Sequence, residues 1–168
     1  MEKPFSRLLK ASEDLRWRYT ADDPDYKAYE KAERDRDWQK AIEALERILK
    51  RKPDSGQAYA DLAFVFVQLD RFDEALPIIK KAIDLGVTDS MAWATLGDTC
   101  MALRKFSEAE AAFKQELKSE SDEALTAHAW ENLYRLYDHL GRSEEAAEAL
   151  QRWKRALSAT PKSIKKGF

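Results

Sequence analysis

The chain has 168 residues, of which 44% are hydrophobic and 36% charged, and its formal net charge is −2. This composition predicts a soluble chain with enough apolar mass for a continuous core, and the slight negative charge argues against nucleic-acid binding, which needs a concentrated excess of Lys and Arg. No apolar run approaches a membrane span, and the first residues lack the apolar stretch of a secretion signal, so we expect a cytoplasmic protein without membrane insertion.

Residues 1–21 precede the regular part of the chain and predict an N-terminal helix. Within them, residues 4–19 place Phe5, Leu8 and Leu15 along one side of a helix. We expect this segment to cap the neighbouring helices, because the end of a helical stack leaves an apolar helix face bare.

A small residue is followed four places later by a large apolar one at four points in the chain. The pairs are Ala41 and Leu45, Ala75 and Ile79, Ala109 and Phe113, and Ala146 and Leu150. The first three pairs recur every 34 residues. A period of this length predicts a stack of helical hairpins.

The period divides most of the chain into four repeats, each of which predicts two helices. The first repeat has a weak first half, with Asp25 and Ala32 at positions where large apolar residues belong, and the fourth arrives three residues late. The predicted ranges are about 22–55, 56–89, 90–123 and 127–160, followed by a short tail at 161–168.

Start and stop signals support the division into helix pairs. We expect Asp22 or Asp23 to cap the first helix and Thr88 or Asp89 to cap the first helix of the third repeat. Further signals are a Ser107 and Glu110 capping box for the next helix, Gly141 at the end of the fourth repeat's first helix, and Ser143 as the cap of the last.

The third repeat carries the most specific pattern. Its defining residues are Trp93, Leu96, Gly97, Cys100, Phe106, Ala109 and Phe113. This spacing resembles the tetratricopeptide repeat, with Cys100 in the slot of a Tyr, and the resemblance covers residues 22–160. It implies an all-α, right-handed α-solenoid of about four stacked antiparallel helix pairs. Tyr134 replaces the small Gly97 in the fourth repeat, which predicts a splayed or shifted last hairpin.

The resemblance further implies that the first helix of each pair lines a concave groove. The residues between the core positions of these helices are then the candidate ligand contacts, and we expect a groove with an apolar centre and a charged end. They are Gln57, Ala60, Phe64 and Val67 in the second repeat, Met91, Ala94, Asp98 and Met101 in the third, and His128, Glu131, Arg135, Asp138 and His139 in the fourth.

Phe64, Val67, Met91 and Met101 have two interpretations. They could pack against neighbouring helices as core, as such stripes usually do. The alternative is ligand binding, since each repeat already fills its core positions with other residues. An apolar patch that contains Met suits an extended peptide or a partner helix.

The polar residues of the fourth repeat do not predict a metal or catalytic site. His128 and His139 are eleven positions apart, which separates them by roughly 16 Å along a helix and is too far for one ion. Glu131 and Arg135 form a helix-stabilising pair, and the cluster is either a solvated end of the groove or a contact for a polar ligand group. No phosphate loop, nucleophile elbow or metalloprotease motif occurs, so we expect neither an enzyme nor a cofactor. Cys100 predicts a buried, unreactive thiol.

A familiar use of the family is to hold the acidic C-terminus of heat-shock chaperones with a clamp of Lys, Asn and Arg. Only Asn132 and Arg135 resemble clamp residues here. The matching face of the first two repeats offers Tyr26, Glu30, Ala60, Asp61 and Phe64. These side chains would repel or ignore a carboxylate, so a chaperone-tail adaptor is not expected.

Two classes of function remain. The first is a protein-interaction module, an adaptor, assembly factor or chaperone-like protein that binds a peptide or helix of another protein in its groove. The second is a self-associating scaffold, because the last helix places Trp153 and Leu157 at the end of the stack, where we expect them to be exposed.

Overall fold

The computed structural model describes residues 23–120 and 126–159, which form eight α-helices and no strand. The predicted N-terminal helix at 1–21 and the tail at 161–168 lie outside these residues. In chain order the helices are α1 (Pro24–Arg34), α2 (Trp38–Arg51), α3 (Gly56–Gln68), α4 (Phe72–Asp84), α5 (Ser90–Ala102), α6 (Phe106–Ser119), α7 (Ala127–His139) and α8 (Ser143–Ala159).

The eight helices pack as four antiparallel pairs, which confirms the predicted all-α solenoid. Each second helix also packs on the first helix of the next pair, and among the first helices α5 contacts both α3 and α7. We therefore call the side formed by the first helices the inner face. Within the described ranges, no helix combines the length and the hydrophobicity that crossing a bilayer requires.

The four pairs turn through the same backbone geometry. Arg36, Asp70, Arg104 and Gly141 adopt positive φ angles of 54°, 56°, 56° and 70°. In each turn the next residue donates its N–H to a carbonyl five positions back, as Asp37 does to Ala32 at 2.8 Å. This is the Schellman ending of a helix, and three of the four turns use it without glycine.

Side-chain caps begin several of the helices. Asp23 accepts from the N–H of Asp25 in α1, and Asp89 accepts from the N–H of Ala92 in α5, as the sequence predicted. The predicted capping box at Ser107 is wrong, because α6 already begins at Phe106 and its cap residue makes no side-chain hydrogen bond. Glu110 instead forms an ion pair with Arg142 of the next repeat, at 2.7 Å.

Most of the buried side chains group into two clusters, which the partly buried Ile78 connects. The N-terminal core contains Tyr29, Ala32, Ala41, Ile42, Ala44, Leu45, Ile48, Ala58, Leu62, Val65, Phe66 and Ala75. The C-terminal core contains Ala60, Ala63, Ile79, Ala82, Ala92, Leu96, Cys100, Ala109, Ala112, Phe113, Ala129, Leu133, Tyr137, Ala146 and Ala149. The division passes through the second helix pair, where Ile78 packs against both clusters.

Gly97 allows α5 and α6 to approach closely, as its position in the repeat predicted. A Cβ atom added at Gly97 would lie 2.3 Å from the ring of Phe113, which is closer than van der Waals contact permits. The fourth pair has Tyr134 at the matching position and packs as extensively as the third, so the expected splaying is not present.

Tyr134 packs against Trp153 of α8. The two rings stack with centroids 6.2 Å apart and an interplanar angle of 24°. Trp153 is therefore half-buried, and the expectation that it is bare was wrong, whereas Leu157 is 44% exposed.

Candidate functional site

The candidate groove residues all lie on α3, α5 and α7, the helices of the inner face. They do not form one continuous strip. The structure divides most of them between one cleft formed by the first three repeats and, between the third and fourth repeats, a second cleft and an ion-paired cluster.

The first cleft lies between α1, α3 and α5 and has a volume of about 240 Å³. Gln57, Ala60, Phe64 and Met91 of the predicted groove line it. Its charged lining residues are Glu30, Glu33, Asp61 and Asp89, all of them acidic, and we call it the acidic cleft. Its aromatic walls are Tyr26, Tyr29 and Phe64.

Asp61 is the most perturbed group in the acidic cleft. Its Oδ1 atom accepts a hydrogen bond from Nε2 of Gln57 at 3.0 Å, whereas its buried Oδ2 atom has no hydrogen-bond partner among the described residues. Burial raises the pKa of Asp61 from 3.8 to about 7, and the negative charges of Glu33 and Asp89 add to this effect. The pKa of this carboxyl group therefore lies close to neutral pH, well above that of an exposed Asp.

The four apolar candidates differ in exposure. Met91 is 62% exposed at the mouth of the acidic cleft, and Phe64 is half-buried in its wall. Val67 packs against the N-terminal core, and Met101 packs against the C-terminal core. Phe64 and Met91 therefore present apolar surface in the cleft, while Val67 has mainly a packing role.

The second cleft lies where the turn after α5 approaches α7, and its volume is about 320 Å³. It is lined by Met101, Arg104, Phe106, Arg135 and His139 together with Ala102. We call it the basic cleft, because Arg104, Arg135 and His139 are its ionisable residues. The ring of His139 lies 5.1 Å from that of Phe106.

His128, whose side chain is 43% exposed, joins the third and fourth repeats. Its Nδ1 atom lies 2.9 Å from Glu116, and its Nε2 atom lies 3.4 Å from Asp98. Hydrogen bonds to Asp98 and Glu116 raise the pKa of His128 from 6.5 to about 10, so the ring is positively charged at neutral pH. Asp98 also accepts from Asn132, which reinforces the same junction.

Glu131 and Arg135 form the predicted ion pair on the surface of α7. Asp138 is exposed at the end of the same helix, and Ala94 is half-buried on α5. In residues 23–120 and 126–159, no three His, Cys, Asp or Glu side chains converge as metal binding requires. Cys100 is fully buried as predicted, and burial raises the pKa of its thiol.

Sequence reasoning missed Glu33 and Asp89 in the acidic cleft and Glu116 beside His128. Asp89 was identified only as a helix cap, a role that it also has. Glu116 lies on a second helix, away from the predicted groove, yet it is only 3% exposed. Its place among the buried positions of α6, four residues after Ala112, is the signal that could have revealed it.

Comparisons with known proteins agree with this architecture. Two family models described as tetratricopeptide repeat match residues 32–97 and 95–161. The chain is 28% identical over 121 residues to the lipopolysaccharide assembly protein B of Escherichia coli strain K12. That match includes 69% of this chain but only 31% of the relative, so the chain spans about a third of its length.

Solved structures show the same fold at low sequence identity. A crystal structure of MamA superimposes with a TM-score of 0.70 at 22% identity, covering 77% of this chain and 74% of the other. The TPR domain of Arabidopsis OM64 superimposes with a TM-score of 0.62 at 23% identity, covering 67% of this chain and 91% of the other.

Proposed function

Because the chain belongs to the tetratricopeptide repeat family, we propose that it is a non-catalytic cytoplasmic module that binds a peptide or helix of a partner protein along its inner face. In this role it is an adaptor, an assembly factor or a chaperone-like protein. One observation carries the proposal: the acidic cleft, which joins three first helices and presents Phe64 beside the exposed Met91.

The shape and chemistry of this cleft support a protein ligand. Its volume accommodates one or two amino-acid side chains rather than a large cofactor. Partly exposed Met and aromatic side chains adapt to apolar groups of a partner and are common at protein-binding surfaces. The name of the Escherichia coli relative, an assembly protein, supports a role in assembly.

Site-specific photo-crosslinking tests the proposal. A photoreactive phenylalanine analogue replaces Met91 on the inner face, and in a control chain it replaces Leu85, which is 42% exposed at the end of α4. We expect crosslinks to a discrete partner protein from position 91 and not from position 85, with the products identified by mass spectrometry after irradiation in cells. Equal products from both positions, or none from either, would contradict groove binding.

The same experiment separates the alternative, a self-associating scaffold. The exposed Leu157 on the last described helix favours this alternative. If the main crosslinked product from position 91 is a dimer of this chain, a second copy occupies the groove and the self-associating scaffold is favoured.

A further inference from the structure

The charge of the acidic cleft is not balanced within its lining. Glu30 and Glu33 come from α1, Asp61 comes from α3, and Asp89 caps α5, while no Lys, Arg or His is among the described residues that line the cleft. Elsewhere on the described surface, acidic side chains commonly pair with Lys or Arg, as Glu108 does with Lys80 at 2.6 Å and Glu110 with Arg142 at 2.7 Å. The acidic cleft is thus distinguished by acids without a cation among its lining residues.

Asp61 makes this imbalance costly. A buried carboxylate oxygen without a hydrogen-bond partner loses its hydration and gains nothing in return. The Oδ2 atom of Asp61 is in this state, with only Oδ1 bonded to Gln57. A natural protein retains such a group at a cost in stability, and a ligand that supplies the missing donor removes that cost.

From this geometry we infer that the acidic cleft binds the side chain of an Arg or Lys residue in a partner peptide, with Asp61 as the central anion and Phe64 and Met91 contacting the apolar residues beside it. This inference rests on the proposed function and specifies the chemistry of the partner. The inference also agrees with the lack of a chaperone-tail clamp in this chain. That clamp is positively charged and binds a carboxylate, whereas the acidic cleft is negatively charged and would bind a cation.

The cleft offers both components that a long cationic side chain requires. A planar guanidinium group donates two parallel hydrogen bonds to one carboxylate, which would satisfy Oδ2 and replace the single bond from Gln57. The aliphatic stem of an Arg or Lys side chain packs on apolar and aromatic surface, here the rings of Tyr26 and Phe64. The remaining acids, Glu30, Glu33 and Asp89, attract the positive charge from the rim.

The test selects 12-residue peptides from a random library displayed on phage, with the full-length chain as bait. Selected peptides are synthesised with each Arg as Arg or as citrulline, which has nearly the same shape but no charge. Their affinities are measured for the native chain, for Asp61→Asn, and for Glu148→Gln, a control that removes one exposed acid from α8. Asn keeps the acceptor for Gln57, removes the charge and places an amide NH2 group where Oδ2 was.

We expect the selected peptides to share a basic residue next to an apolar one. Citrulline and Asp61→Asn should each weaken binding by at least about tenfold, and their combination should cost little more than either alone, because both remove the same interaction. Glu148→Gln should bind as the native chain does.

Other results overturn the inference in different ways. If the selected peptides lack a basic residue, or bind Asp61→Asn as tightly as the native chain, the cation site is refuted but peptide binding is not. If no peptide binds and position 91 gives no crosslink, the cation site and the proposed function are both refuted. If the native chain forms a dimer and Asp61→Asn is a monomer, the cleft binds a second copy of this chain. If peptides bind only after four basic residues near the start of the chain are changed to Gln, the chain's own first residues occupy the cleft. These residues are Arg7, Lys10, Arg16 and Arg18.

Discussion

Asp61 shows how one buried carboxyl group affects both the stability of the protein and its surface chemistry. Its pKa rises from 3.8 to about 7 on folding, so the folded state binds more protons than the unfolded state between these values. The contribution of Asp61 to the free energy of unfolding therefore decreases as the pH rises from 3.8 through 7. Above pH 7 the full destabilising effect is present.

The variant Asp61→Asn tests this sign. At pH 8 we expect it to raise the free energy of unfolding by about 1–3 kcal/mol, because it removes a buried charge and keeps the bond from Gln57. The gain should shrink as the pH falls toward 4, where the native carboxyl group is itself neutral. Urea denaturation at several pH values measures the difference, with Glu148→Gln as the control. A gain that is independent of pH would show that Asp61 is ionised throughout.

Residue identity alone predicted some of these roles and not others. Gly97, Cys100 and the small-to-large pairs of the repeats were predictable because each reports directly on how closely two helices pack. In the acidic cleft, Glu30 and Asp61 were predicted to share a face that repels a carboxylate, whereas Glu33 and Asp89 were missed because no sequence period links them to that face. His128 was expected at the charged end of the groove, either solvated or in contact with a ligand. Its partners Asp98 and Glu116 were not predicted, because they belong to the preceding repeat.

At the scale of the helix pair, the turns bear a small conformational cost. Arg36 holds a φ of 54°, a region that disfavours residues with a Cβ atom and that glycine adopts without strain. The fourth turn has Gly141 at the matching position. The sequence predicted where the pairs turn but not their common geometry, because three of the turns lack the glycine that usually marks it.

The substitution Arg36→Gly should therefore stabilise the protein. We expect a gain of about 0.5–1 kcal/mol in the free energy of unfolding, measured by urea denaturation. Arg36→Ala is the matched control, because it removes the same side chain but keeps the unfavourable φ. Equal effects of the two substitutions would assign the change to the loss of the Arg side chain and not to the backbone.

At the scale of the molecule, the two cores predict that stability is local. In a stack of repeats each unit contacts mainly its neighbours, so a core defect is felt most in its own part of the stack. Leu45 belongs to the N-terminal core and Leu133 to the C-terminal core, and both are fully buried.

Hydrogen exchange measured by mass spectrometry tests this division. Leu45→Ala should cost about 2–5 kcal/mol locally and speed exchange in α1, α2 and the start of α3, with little effect on α7 and α8. Leu133→Ala is the matched change in the other core and should give the opposite pattern. Uniform acceleration over all eight helices in both variants would show that the described repeats unfold as one unit.

We expect the boundary between the two cores to affect how the protein responds to force. When the chain is pulled from its two ends, tension passes through every helix pair in series, so the weakest interface yields first. The second pair contributes buried residues to both cores, with Ala75 in one and Ile79 in the other. Tension therefore passes from one core to the other through this pair, and we expect a defect in either core to lower the force at which the pair opens.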